Sequence, residues 1–125
     1  MKMLVVSMTV LISLLFAASA SAEEHQCDPD LFGITASGGA LVRCKSAAKI
    51  GSNKIDWFAV DIRPHINVSP DRSNLHVQLA QVETIRQALI SNRRLLIRFY
   101  PNNVENAYDC LQSNCRSIQD VFIIK

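Results

Sequence analysis

The chain has 125 residues, 13 Lys and Arg against 11 Asp and Glu, and a formal net charge of +2. So even a balance argues against a charge-driven nucleic-acid binder. Its length allows one domain with one modest core and is too short for two.

The chain starts with Met1-Lys2-Met3, an apolar run over 4–18, and Ala20-Ser21-Ala22 ahead of Glu23-Glu24. A charged start, an apolar middle and a small-x-small site are the pattern of a bacterial-type secretory signal. The run is shorter than the roughly 20 apolar residues that a membrane span needs. The expected organisation is therefore a signal peptide over 1–22 and a single small domain over 23–125, exported to the periplasm or the medium. Cleavage removes Lys2 and leaves the mature domain close to neutral.

Residues 23–30 are polar and contain Pro29, so they read as a loosely ordered arm unless Cys27 ties them down. Ser37-Gly38-Gly39 suits a hairpin turn whose second strand is 40–44, and Gly51-Ser52-Asn53 marks the next turn. The run 55–62 carries apolar groups in both alternate registers, as a central strand covered on two sides does. Arg63-Pro64 ends it, and 67–74, with Ser69, Pro70, Asp71 and Ser73, reads as a loop or helix start. Leu75, Leu79, Val82, Ile85 and Leu89 trace one face of a helix of about four turns. Gln78, Gln81, Glu83, Arg86 and Gln87 fill the other face, and Asn92 suits a left-handed stop. Strands are expected over 95–100 and 117–124, giving a mostly β chain with one helix in the order β-β-β-α-β-β. That is the element order of an OB-fold-like small barrel.

Cys27, Cys44, Cys110 and Cys115 all survive cleavage, and an even count in a small exported chain points to disulfides. Three pairings are open. Cys27 with Cys44 and Cys110 with Cys115 is favoured, because each joins sequence neighbours. Scattered histidines and the absence of any C-x-x-C spacing argue against zinc, and no metal or cofactor is expected. Pro70 follows the sequon Asn67-Val68-Ser69 and argues against glycosylation there.

Residues 41–51, Leu-Val-Arg-Cys-Lys-Ser-Ala-Ala-Lys-Ile-Gly, resemble the cysteine-bearing early strand of the pertussis-toxin-type binding subunits. Residues 85–100 are similar to the helix, turn and following strand of the B subunits of pertussis-type and subtilase-cytotoxin-type AB5 toxins, and Cys110 with Cys115 resembles their late cysteine pair. These stretches span about half of the mature domain, and the tail after Cys115 departs from the family pattern. The resemblance implies an OB-fold and a ring of five subunits that binds host glycans, with or without a catalytic A subunit.

Trp57 is the candidate for stacking on a sugar, weighed against plain core packing in so apolar a strand. Tyr100 and Tyr108 flank Asn102, Asn103 and Asn106, whose amides suit a ligand at a strand end or an ordinary polar loop. Arg93 and Arg94, with Arg86 and Arg98, offer guanidinium groups to an acidic sugar or else merely a solvated helix end. His65 and His76, near Asp61 and Asp71, are the only residues that suggest acid–base chemistry, and no catalytic motif accompanies them. The expectation is a non-catalytic binding module for a cell-surface glycan or envelope component, in the form of a toxin-B-like oligomer. The alternative is a periplasmic protein-interaction or inhibitor protein.

Overall fold

The computed structural model describes residues 22–36, 38–62, 75–102, 110 and 113–125. Among them run β1 (Glu23–Cys27), β2 (Pro29–Ile34), β3 (Gly39–Ile50), β4 (Asn53–Asp61), α1 (Leu75–Ile90), β5 (Arg94–Phe99), β6 (Cys115–Ser117) and β7 (Asp120–Ile124). One sheet has the order β1-β5-β7 and the other β2-β3-β4-β6. All neighbours are antiparallel except β4 and β6, which run parallel. The protein is thus mostly β with one helix. Among the described residues the ladders form two separate sheets that are not joined into one, and four strands precede the helix and three follow it, against the three and two expected.

The extra strands come from two chain segments that each serve both sheets. Residues 23–34 pair first with β5 and, past Asp28, with β3. Residues 23–30 are therefore strand rather than a loose arm, because the Cys27–Cys44 disulfide ties their first half to β3. The expected last strand over 117–124 divides in the same way. The amide of Ile118 still donates to Ala59 of the second sheet, and that of Gln119 already donates to Arg98 of the first.

The β2–β3 hairpin turns on Thr35, whose hydroxyl accepts the Gly39 amide at 3.0 Å, and on Gly38, whose φ of 94° favours glycine. The β3–β4 hairpin turns on Gly51 and Ser52, with Ile50 opposite Asn53. Counting back from that turn would set Arg43 opposite Val60. Instead Arg43 lies opposite Trp57, because Arg43 to Ala48 on β3 stands against only Trp57 to Ile55 on β4. The surplus length is a bend in β3. Cys44 anchors it to Cys27, and His25 Nε2 donates to the Ser46 carbonyl at 2.7 Å.

The core lies between the sheets, built on Phe58, Phe99, Ile55, Leu95, Ile97, Val42, Ile85 and the Cys27–Cys44 sulfurs. Phe58 meets Phe99 edge to face with centroids 5.1 Å apart, the geometry favoured by the ring quadrupoles. Of the apolar helix face expected from the sequence, Ile85 is buried and Val82 packs on the core. Leu75 and Leu79 instead stand in solvent, and Ala88 completes the buried stripe. Gln81, expected on the polar face, donates to the Gln119 carbonyl at 3.0 Å, so the core-facing side is rotated from the one that leucine spacing suggested. The helix stops as expected: Asn92 is left-handed at φ 53°, and the Arg93 amide donates to Ala88 O at 2.8 Å.

Candidate functional site

The two halves of β4 alternate out of phase with each other. Phe58 and Val60 point into the core, so unbroken alternation would bring Asp56 in and turn Ile55 out; yet Ile55 is fully buried. The backbone explains the reversal. The amides of Asp56 and Trp57 both donate to the Asn114 carbonyl, at 3.2 and 3.1 Å. Two consecutive amides on one acceptor make a bulge, which re-aims the side chains around it. Ile55 and Phe58 thereby both reach the core while Trp57, between them, turns to the opposite face.

On that outer face Trp57 is half-buried and packs with Leu41 against a small second cluster of Ala59, Cys110 and Cys115. The register places Arg43, Trp57 and Cys115 in one row across β3, β4 and β6, and Leu41, Ala59 and Ser117 in the next. The Cys110–Cys115 disulfide joins two members of this cluster.

Arg43 lies over the indole with its guanidinium carbon 5.7 Å from the ring centroid. Asp30 holds it there through two bonds, Nε to Oδ1 at 2.9 Å and Nη2 to Oδ2 at 3.2 Å. Asp30 is the extra residue where the β2–β3 register shifts between Pro29 and Leu31, and this bulge brings its carboxylate to Arg43. The hydrogen bond from Arg43 holds the Asp30 carboxyl below its ordinary value, and Asp30 in turn raises Arg43. The result is an aromatic ring beside a planar donor–acceptor pair, both reachable from solvent. Such a set can stack on the apolar face of a ring compound and hydrogen-bond its substituents.

The candidates named from the sequence do not all meet here. Tyr100 is half-buried and Asn102 exposed, just past the end of β5. Arg116, buried at 7% exposure, ties that end to β6 by donating to the Pro101 carbonyl at 2.7 Å and to the Cys115 carbonyl at 2.7 Å. Asn103 and Tyr108 lie outside the described residues, as do the leader, His65 and 67–74. Arg93 and Arg94 are exposed at the opposite end of β5, a strand length of roughly 20 Å from Tyr100. Arg94 donates to Gln26 Oε1, while Arg86 and Arg98 are paired with Glu83 and Glu24. The four arginines therefore do not form one anion clamp.

Sequence reasoning missed Arg43, Asp30, Asn114 and Arg116 as parts of a site. Arg43 was legible as the outward residue between Val42 and Cys44. Its partner Trp57 depended on the bend in β3. Among the described residues no group of three or more His, Cys, Asp or Glu is placed to hold a metal ion. Comparison of the chain with protein-family models, with curated proteins and with solved structures found no match.

Proposed function

We propose that this chain is an exported, non-catalytic binding module that recognises a cell-surface glycan or envelope component on the outer face of β3 and β4. The observation that carries the reading is Trp57, turned out of the core beside the Arg43–Asp30 pair. An OB-like barrel is the architecture we propose for it. That reading is supported by the two segments serving both sheets, by the parallel β4–β6 pair and by the single helix between β4 and β5. In OB-folds the corresponding strand pair commonly carries the ligand. Export is supported by the leader pattern and by two disulfides, which persist in oxidising compartments. Among the described residues no helix is long and apolar enough to cross a membrane.

The test is a glycan array probed with the oxidised mature protein, alongside its mass in solution by light scattering. Binding to a defined glycan group, with a mass five times that of one chain, supports the toxin-B-like reading in full. Binding by a monomer keeps the module and removes the ring. A folded protein that ignores the array contradicts the proposal. The second reading, docking on a periplasmic protein, is favoured by Val77, Leu79 and Ile90, which are 51%, 48% and 66% exposed on α1. Stoichiometric co-purification of one protein partner, lost on Leu79→Ser, supports that reading.

A further inference from the structure

The two disulfides occupy different parts of the molecule. Cys27–Cys44 lies in the main core, where β1 leaves its sheet and β3 bends. Cys110–Cys115 lies outside that core, in the small cluster under Trp57. Cys115 is the register partner of Trp57, and Asn114, its immediate neighbour, supplies the carbonyl that accepts both the Asp56 and the Trp57 amides. The bulge that turns Trp57 outward therefore rests on one carbonyl, and that carbonyl belongs to the residue just before Cys115, one end of the disulfide.

We propose that the Cys110–Cys115 cross-link is a positioning element of the Trp57 face and not a staple of the fold. It fixes Asn114 against β4, and Asn114 holds the bulge. The bulge sets the direction of the indole under Arg43. Opening the cross-link releases the Asn114 carbonyl, frees the Asp56 and Trp57 amides and loosens the indole, while the core on the other side of β4 keeps Phe58 against Phe99. The inference concerns the face that the proposed function uses, but its test needs no ligand.

Trp57 is the single tryptophan of the chain, so its fluorescence reports this site alone. In the mature protein carrying Cys110→Ala and Cys115→Ala, iodide quenching of Trp57 should rise about twofold, and the Asp56 and Trp57 amides should exchange at least about tenfold faster. The amides of β5 should keep their protection. Cys110→Ala alone, which leaves the Cys115 sulfur beside the ring, should give the same changes, separating the cross-link from local packing. Unchanged quenching and exchange would overturn the proposal. So would loss of cooperative unfolding in the double variant, since the cross-link would then be holding the fold. Failure of the glycan array, with these shifts observed, would count against the proposed ligand and leave the positioning role intact.

Discussion

Trp57 and Phe58 are neighbours in sequence and belong to different structures. Phe58 sits between the sheets against Phe99, with the Cys27–Cys44 disulfide in the same cluster. Trp57 lies on the outside of the same strand, half-buried against Cys110–Cys115 and covered by a salt-bridged arginine. Each region pairs an aromatic residue with a disulfide, yet the inner one joins two sheets and the outer one decorates one. Position rather than composition separates what holds the fold from what is free to bind.

The contrast can be broken from either side. Phe58→Ala should have the largest effect, about 4 kcal/mol lost in urea unfolding, because a fully buried ring leaves a cavity between the sheets. Replacing Cys27 and Cys44 by alanine should cost about 3 kcal/mol from the loop that their cross-link closes, read as a lower denaturation midpoint. Asn92→Ala, by putting a Cβ-bearing residue without amide stabilisation into a left-handed position, should cost about 1 kcal/mol in thermal unfolding.

The smallest effect depends on pH. Asp30 has its folded value depressed below 3.8, so its contribution is present above the unfolded value and is lost as pH falls through the folded one. Asp30→Asn should therefore remove a small contribution at neutral pH and flatten the decline in stability below about pH 4, where the two proteins converge. Part of the decline should remain, because Glu83 is also held down, by Gln87 and then Arg86. An acid titration of the melting midpoint checks this.

The inner region was largely legible in the sequence. Turn glycines, a strand over 40–44 and the helix with its stop at Asn92 follow from local chemistry, the sequence-neighbour cysteine pairs were the favoured ones, and the structure has them all. The outer region was legible only in part. Trp57 was a candidate, but its direction depends on a carbonyl that lies 57 positions further along the chain. Its arginine depends on a strand bend that no turn count reveals. The split of 117–124 into two strands was hidden for the same reason: only tertiary pairing shows that Ser117 and Asp120–Ile124 belong to different sheets. Leu75 and Leu79 misled because helical spacing gives a face without telling how far the sheets beneath it extend.

The central claim is that the Trp57 face binds while the Phe58 face folds. Trp57→Ala tests it most directly, with the thermal midpoint and the glycan-array signal read on one preparation. The account predicts a midpoint lowered by only a few degrees, as about 1 kcal/mol would give, together with loss of the array signal. An array signal that survives Trp57→Ala, or a variant that no longer folds, would contradict it.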